Sequence, residues 1–327
     1  MKRNKKVVMA EKIRHHYVPR FYLEKFVDPE NKPYIWVYEK GNPVAVKASS
    51  KDIACEKHGY SFTDETGKRD SETIENALAE LESNVAPVFE KIRNYEDLDK
   101  EDREIFSFFL AFMMGRVPGY RRNIENATAE FVKRFAAIQK ADIEKKILRF
   151  NEVQKGVEEE KEASEGEKEE LTEEEIVDGL GKIVNGEYII EINPEFSLLT
   201  FIVAKELVPV FYGMDWSFWL ATEDYKYITS DNPMVYDDST HNRKSIYGVG
   251  LLNKNIEVTF PVAKDLVFVG NWKKMNGYKK TNNKIVKAVN RRIAASAYRF
   301  VFASENSEGL STLVQKYKDV KPSLEVK

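Results

Sequence analysis

Cysteine and histidine are scarce in this chain of 327 residues, which has one cysteine, Cys55, and four histidines. A single cysteine cannot form a disulfide within the chain, and it cannot build a zinc site made of cysteines. The sequence therefore predicts no disulfide partner and no cysteine-based metal cage. This cysteine usage favours a reducing compartment, and we expect the protein to be cytoplasmic.

Long apolar runs are absent as well. The strongest apolar stretches, residues 106–114 and 198–204, are far shorter than the roughly 20 residues that a membrane-spanning helix needs. The basic N-terminus lacks the apolar segment of a secretion signal. The net charge of −3 does not indicate a polyanion-binding protein by bulk charge. We therefore expect a soluble protein without a membrane partner.

Several familiar catalytic motifs are missing too. The chain has no Gly-rich phosphate loop followed by Lys and Ser or Thr, no dinucleotide fingerprint, no Gly-x-Ser-x-Gly elbow and no His-Glu-x-x-His pair. These absences argue against the common P-loop, Rossmann, α/β-hydrolase and zinc-protease classes.

The N-terminal half has the pattern of a helical region. Apolar residues at helical spacing predict three long helices, over residues 70–93, 100–117 and 120–153. Two strand-like runs around Gly41 predict a small hairpin before them. Residues 155–175 contain eleven glutamates and three lysines, which is typical of a solvated helix extension or a disordered insert.

Strand patterns dominate after Trp216, and a long helix is predicted near the C-terminus, over residues 282–298. The predicted strands are residues 216–221, 225–229, 256–261 and 266–270. We predict an α+β fold, with a helical N-terminal half and a small β-hairpin packed on a mostly antiparallel sheet from the C-terminal half. Because no linker isolates the N-terminal motif, we expect residues 1–327 to form a single integrated domain.

Two of the four histidines, His15 and His16, stand directly before Tyr17-Val18-Pro19. Proline suits the first turn of a helix, so both histidines are predicted to lie just before a helix N-terminus. The positive helix end and any burial favour the neutral imidazole, which can bind a metal or accept a proton. The alternative is that one histidine caps the helix or packs against the core.

Three charged residues lie on or beside predicted buried helix faces. Glu75 and Glu82 are seven residues apart at the margin of one apolar stripe, and Arg116 continues the apolar stripe of the next helix. A buried arginine must be paired, so an antiparallel helix pair would make the two glutamates its partners. The alternatives are a solvated helix flank for the glutamates and an exposed C-terminal cation for Arg116.

Further polar residues occur near the predicted strand ends and on the last long helix. Ser230-Asp231-Asn232-Pro233 favours a turn at the end of a strand, where side chains can converge on a pocket. Alternatively, Asp231 bonds only its own backbone in an Asx turn. Asn290 lies on the apolar side of the last long helix, where a buried amide needs partners.

Basic residues are concentrated in one C-terminal segment. Residues 271–299 contain nine lysines and arginines and no acidic residue. Such a segment with nearby aromatics can face phosphate, although most such runs are simply solvated. The candidate nucleic-acid contacts are Lys279, Lys280, Arg291 and Arg292.

The chain resembles a bacterial family catalogued as domain of unknown function 4238. The resemblance is carried by His15-His16-Tyr17-Val18-Pro19, by Arg116-Val117-Pro118 and by Ile228-Thr229-Ser230-Asp231-Asn232-Pro233, with support from the Glu75, Glu82 and Asn290 segments. His16 matches the motif histidine better than His15, because it directly precedes Tyr-Val-Pro. The resemblance implies that these polar residues occupy the motif positions of the family, and it implies no established activity.

The first hypothesis is a divalent-metal-dependent hydrolase of phosphodiesters, with a nucleic acid or nucleotide as partner. Mg²⁺ or Mn²⁺ suits a carboxylate-rich set and would activate a water. The predicted metal ligands are Glu75, Glu82 and Asp231. The predicted catalytic residues are His16, Arg20 and Arg116. The predicted structural or substrate-positioning residues are Ser230, Asn232 and Asn290.

The second hypothesis is a non-enzymatic module that binds nucleic acid or protein through the basic 271–299 segment. In that case the charged residues on the helices form a structural network, and His16 is dispensable. A third alternative is an effector that acts on a small metabolite, for which the sequence offers no specific residue.

Overall fold

The computed structural model describes residues 14–57, 59–63, 66–154, 171–238, 240, 250–320 and 322. Most of the predicted acidic insert, residues 155–170, lies outside this part of the chain. The described helices are α1 (Arg20–Leu23), α2 (Thr73–Arg93), α3 (Lys100–Arg116), α4 (Pro118–Gln154), α5 (Glu173–Asn185), α6 (Thr200–Gly213), α7 (Asn283–Ser296) and α8 (Glu308–Lys316). Among the described helices, none combines the length and the apolar character needed to cross a bilayer.

Strands occur at both ends of the chain, which confirms the α+β class. They are β1 (Arg14–His16), β2 (Tyr34–Glu39), β3 (Asn42–Ser49), β4 (Cys55–Lys57), β5 (Phe62–Thr63), β6 (Arg69–Asp70), β7 (Asp215–Leu220), β8 (Thr229–Ser230), β9 (Val235–Asp237), β10 (Glu257–Ala263), β11 (Leu266–Asn271), β12 (Gly277–Lys280) and β13 (Phe300–Ala303).

The larger sheet comes from the C-terminal half, with strand order β12-β7-β11-β10-β9. Its neighbours are antiparallel except for the β12–β7 pair, which is parallel. The sheet is buried on both faces. Alternate residues of a strand point to opposite sides, so neighbouring residues join different hydrophobic clusters. Phe268 shares a hydrophobic cluster with Phe106 of α3, whereas Val267 shares another with Val286 of α7.

A second sheet joins the two ends of the chain. Its order is β3-β2-β13-β8, and its neighbours are antiparallel. The predicted hairpin is confirmed as β2–β3, which turns at Gly41 with a φ of +86° that favours glycine. The pairing of this hairpin with β13 was not predicted, because it joins residues more than 250 positions apart.

The first helix differs from the sequence prediction. Pro19 occupies the N-cap of α1, which has four residues and continues into the 3-10 turn Glu24–Phe26. His15 and His16 belong to β1, which pairs with β4. A helix this short has a small dipole, so burial is the stronger influence on these imidazoles.

Helices α2 and α3 form the predicted antiparallel pair. Asp70 precedes α2 and accepts the N–H groups of Glu72 and Thr73. Asp102 accepts two hydrogen bonds from the Lys91 ammonium, at 2.8 and 2.7 Å, near the loop that joins α2 to α3. The two helices therefore pack antiparallel, and the last residue of α3, Arg116, lies against Glu82 in the middle of α2.

Two predicted elements differ from the structure in position or burial. The predicted strand 225–229 is irregular up to its last residue, because Tyr227 donates its N–H to the Lys264 carbonyl and Ile228 donates to the Asn290 side chain. Helix α4 has the predicted length but exposes several of its large apolar residues. These are Phe131, Phe135, Ile138 and Leu148.

Candidate functional site

A polar cluster forms where β1 meets the ends of α2 and α3. We call it the His16 cluster, and it consists of His16, Tyr60, Glu75, Glu82 and Arg116. Arg116 Nη1 lies 2.7 Å from Glu82 Oε1, and Arg116 Nη2 donates to the His16 carbonyl at 2.7 Å. The Tyr60 hydroxyl lies 3.3 Å from the His16 carbonyl and 3.4 Å from the Arg116 carbonyl, and it can donate its one hydrogen to either.

Local sequence explains why Arg116 lies there. It is the last residue of α3, where the negative end of the helix dipole favours a cation. Val117 adopts an extended conformation, as residues before proline do, and Pro118 begins α4. Arg116 is only 2% exposed, so its charge requires the partner that Glu82 supplies.

Three buried polar atoms in the His16 cluster have no hydrogen-bond partner: His16 Nε2, Glu75 Oε2 and Arg116 Nε. Tyr60 lies within electrostatic reach of both Glu75 and Arg116. Burial, the largest influence, raises the pKa of the Tyr60 hydroxyl, Arg116 lowers it, and Glu75 raises it. Buried polar atoms usually have partners, so three such atoms together favour a bound ligand or ordered water.

The environment of His16 favours the neutral form of its imidazole. Burial lowers the pKa of its imidazole, the nearby Glu82 raises it, and Arg116 lowers it again, with burial the largest influence. The ordinary value is 6.5, so the ring is neutral at neutral pH. A neutral imidazole whose Nε2 has no partner can act as a general base.

His15 has a different environment. It is 1% exposed, and its Nδ1 accepts the Tyr60 N–H at 3.0 Å. The two rings also stack, with centroids 5.5 Å apart. His15 therefore holds the loop that carries Tyr60, whereas His16 Nε2 is buried without a hydrogen-bond partner. No local sequence pattern marks Tyr60 as part of this site, since only the fold brings it against both histidines.

Asp231 lies at a separate place, where the turn after β8 meets the start of β13. Its carboxylate accepts the N–H groups of Tyr298 at 2.8 Å, Arg299 at 2.7 Å and Phe300 at 2.9 Å. Burial raises the pKa of this carboxyl, and the three N–H bonds oppose the increase. Asp231 therefore does not bond only its own backbone, as the Asx-turn alternative required. It binds a segment almost 70 residues away.

The other predicted polar residues also fasten the C-terminal half. Asn232 Nδ2 donates to the carbonyl and hydroxyl of Ser296, both at 2.9 Å. Ser230 Oγ accepts the Asn232 N–H at 3.1 Å. Asn290 donates to the Lys226 carbonyl at 2.8 Å and accepts from Ile228 at 3.2 Å. These contacts join α7 to the segment that includes the Asp231 turn.

The His16 cluster and the Asp231 turn both fall within residues 14–307, which match the model of a family described as "Protein of unknown function (DUF4238)". The chain belongs to this family. No curated protein and no solved structure matches it. The family match covers most of the chain, as the sequence resemblance implied.

The predicted metal ligands do not fit a cage made of side chains alone. Glu82 is bound by Arg116, Asp231 is bound by backbone N–H groups, and Glu75 keeps one buried oxygen without a partner. Within the described ranges, no group of three or more His, Cys, Asp or Glu side chains is placed to hold a metal ion. A divalent ion therefore stays a prediction.

The other predicted cations lie on three elements, α1, α7 and β12. Arg20, predicted as a catalytic residue, is exposed and pairs with Glu24 at 2.8 Å, four residues along the chain. Arg292 is held by Asp237 and Glu257. The remaining three predicted cations lie on the edge strand β12 and on α7. They are Lys279, Lys280 and Arg291.

Proposed function

We propose that this protein is a hydrolase of phosphodiesters that uses His16 as its general base. The observation that carries the proposal is the buried His16 Nε2, which has no hydrogen-bond partner and lies in a cluster with the Arg116–Glu82 ion pair. A neutral imidazole in such a position can take a proton from water as the water attacks a substrate.

The chemistry needs one proton transfer in each direction. His16 Nε2 takes a proton from water while the water oxygen bonds to phosphorus and the bond to the leaving oxygen breaks. The imidazolium then returns the proton to the departing oxygen. The Glu82 carboxylate favours the transient imidazolium, because an opposite charge close by stabilises the charged ring. Glu75 Oε2 is available to orient the water.

Guanidinium groups near Tyr60 would prefer a phosphate substrate over a neutral ester if the phosphate replaces their present carboxylate partners, Glu82 and Glu56. Arg116 is in the His16 cluster, and the Arg121 guanidinium lies 5.3 Å from the centroid of the Tyr60 ring. Planar guanidinium groups match the geometry of phosphate oxygens. The Mg²⁺ or Mn²⁺ predicted from sequence takes no part in these steps, because the predicted ligands do not form a cage.

The test is hydrolysis of bis(4-nitrophenyl) phosphate by the full chain, followed by release of nitrophenol. The assay is run with chelator, with Mg²⁺ and with Mn²⁺, and beside 4-nitrophenyl phosphate and 4-nitrophenyl acetate. We expect the diester to be cleaved, and we expect His16→Gln to lose roughly a hundredfold or more in rate. Glu75→Gln is expected to lose less.

Lys140→Gln, on the surface of α4, serves as the control and is expected to keep the wild-type rate. Circular dichroism establishes that each variant is folded. Absence of diester cleavage under every ion condition would refute the proposal, and so would an unchanged rate in folded His16→Gln.

Nucleic-acid binding without catalysis is the second candidate. Lys280 and Arg291 are exposed, and neither makes an ion pair within the described residues, unlike Arg292. Fluorescence anisotropy with labelled single-stranded DNA at several salt concentrations tests it. Binding that Lys280→Gln/Arg291→Gln weakens, with a salt slope reduced by about 0.7 for each lost phosphate contact, would support this function. His16→Gln should then bind as the wild type does.

A further inference from the structure

A cavity of about 660 Å³ lies where helices α3, α4 and α6 meet α7 and the segment that contains β9. Cavities that bind small molecules usually measure about 300 to 1,000 Å³, so this one has the size of a ligand site. No member of the His16 cluster lines it. Its lining does include Asn232, from the Ser-Asp-Asn-Pro stretch that carries the family resemblance.

Aromatic rings and thioethers contribute much of the apolar lining. The rings belong to Tyr120, Tyr236 and Tyr298, and the thioethers belong to Met114 and Met234. The flat faces of an aromatic ligand pack well against both kinds of group. Burial raises the pKa of the Tyr120 and Tyr236 hydroxyls, so these side chains carry no charge at neutral pH. The lining therefore suits a flat aromatic ligand.

The two charged residues in the lining, Arg292 and Asp237, neutralise each other. Arg292 Nη2 lies 3.1 Å from Asp237 Oδ2, and Arg292 also pairs with Glu257. The other described residues that line the cavity are uncharged. A charged ligand would find no opposite charge without a partner here, and burying an unpaired charge is costly. The cavity therefore favours an uncharged ligand.

Asn232 and Ser296 form a polar pair in the wall of the cavity. Asn232 Nδ2 donates its two hydrogens to the carbonyl and the hydroxyl of Ser296, both at 2.9 Å. The amide oxygen, Asn232 Oδ1, accepts no hydrogen bond from any described residue, and the Ser296 hydroxyl donates its own hydrogen to none. The pair therefore leaves one acceptor and one donor for a ligand.

Asn123 and Tyr298 repeat this arrangement with residues from other segments. Asn123 Nδ2 donates to the Tyr298 hydroxyl at 2.7 Å and to the Pro322 carbonyl at 3.2 Å. In the part of the chain that the structure describes, nothing donates to Asn123 Oδ1, and nothing accepts the hydrogen of the Tyr298 hydroxyl. The cavity therefore contains two amide–hydroxyl pairs, each with an acceptor and a donor that a ligand can use.

A lactam edge, in which a ring N–H stands beside a ring C=O, complements such a pair. The ligand N–H would donate to the asparagine Oδ1, and the ligand C=O would accept from the hydroxyl. Uracil, hypoxanthine and guanine carry this edge on a flat, uncharged aromatic ring. Asparagine side chains bind the edges of nucleobases, and aromatic side chains bind their faces. Nucleobases therefore combine all the properties that the lining favours.

We propose that this cavity is a binding site for a nucleobase with a lactam edge, free or as its nucleoside. An amide–hydroxyl pair, Asn232–Ser296 or Asn123–Tyr298, holds the lactam edge, and the tyrosine rings and thioethers contact the faces of the base. The site goes beyond the proposed hydrolase function and does not depend on it, because it shares no side chain with the His16 cluster.

The test is isothermal titration calorimetry of the full chain with uridine and, separately, with inosine. The matched control ligands are 3-methyluridine and 1-methylinosine, in which a methyl group replaces the lactam hydrogen. We expect saturable binding of at least one of the two parent nucleosides. Its methylated form should bind at least about tenfold more weakly, because a hydrogen bond is lost. The nucleoside that binds more tightly shows whether the site prefers a pyrimidine or a purine.

Variants of the protein locate the binding in this cavity. Ala295 lines it, so Ala295→Leu should fill part of the space and weaken binding by about tenfold. Ala288→Leu, on the same helix but outside the lining, is the matched control and should bind as the wild type does. Ser296→Ala and Tyr298→Phe each remove one hydroxyl, and at least one of them should weaken binding by about tenfold.

The outcomes separate this site from the hydrolase. Binding that Ala295→Leu and a hydroxyl variant weaken, while His16→Gln and Ala288→Leu leave it unchanged, supports the proposal even if no ester is hydrolysed. Absence of saturable binding for both nucleosides overturns the proposal. Equal binding of a parent nucleoside and its methylated form also overturns it, and so does binding that Ala295→Leu, Ser296→Ala and Tyr298→Phe all leave intact.

Discussion

The His16 cluster and the Asp231 turn both bury charged groups, but they satisfy them differently. Asp231 receives three backbone N–H groups, each at 2.7 to 2.9 Å. In the His16 cluster, Arg116 and Glu82 form an ion pair, but three polar atoms, one of them Arg116 Nε, have no hydrogen-bond partner. The first arrangement fastens two parts of the chain together, and the second leaves atoms free to meet a ligand.

This difference shows which buried polar residues are candidates for chemistry. Sequence patterns favoured the two places equally, because both combine ionisable residues with apolar surroundings. Hydrogen-bond satisfaction separates them, since an unsatisfied buried atom costs free energy unless a ligand or water compensates it.

Asp231→Ala should have the largest effect on stability. It leaves three buried N–H groups without an acceptor, and we expect the free energy of unfolding to fall by roughly 4 kcal/mol, less than the sum of three independent bonds. Urea unfolding followed by circular dichroism measures the loss. A loss below about 1 kcal/mol, the ordinary cost of a point substitution, would contradict the fastening role.

Arg116→Met should have the second-largest effect on stability. It keeps the apolar contacts of the side chain but leaves Glu82 without its cation, and we expect a loss of roughly 3 kcal/mol. Adding Glu82→Gln should recover part of this loss, because the uncompensated charge is then removed. A double-mutant cycle by urea unfolding tests this coupling. Strictly additive losses would show that the pair contributes little.

Gly119→Ala should destabilise the Asp231 side of the molecule by about 1 to 3 kcal/mol, because the new methyl group overlaps the Tyr298 ring. Gly179→Ala is the matched control. It lies in α5 with open space around it, so alanine should be neutral or stabilising there. Thermal unfolding compares the two. Equal effects would contradict the close packing of Tyr298 on Gly119.

The smallest effect concerns pH. Burial lowers the pKa of His16 in the folded state, so between that lowered value and 6.5 the unfolded chain binds more protons. The stability associated with neutral His16 is complete above pH 6.5 and is lost as pH falls through the folded pKa. The stability of the wild type should therefore fall relative to His16→Gln on acidification.

Thermal unfolding at a series of pH values from 7.5 downward measures this difference between the wild type and His16→Gln. The Lys140→Gln control should follow the wild type at each pH. If the difference between the wild type and His16→Gln is constant with pH, His16 is not held in a setting that disfavours its charged form.

Local periodicity was enough for the long helices and for one contact between them. The apolar stripes of α2 and α3 also placed Arg116 on the inner face, and the need to pair a buried charge indicated Glu75 and Glu82, of which Glu82 is the partner. Periodicity failed for residues 225–229, whose N–H groups bind a loop and the Asn290 side chain instead of a strand.

Local sequence was sufficient for the α+β class, the family, the β2–β3 hairpin and the expectation that Arg116 pairs with a glutamate of α2, because each depends on local spacing or on a charge that must be neutralised. The packing of the elements decided between Glu75 and Glu82 as that partner, and it decided that His15 anchors Tyr60 while His16 Nε2 has no partner. It also decided that Asp231 binds the start of β13. Hydrogen-bond partners between distant segments depend on how the elements pack, and no local pattern encodes that choice.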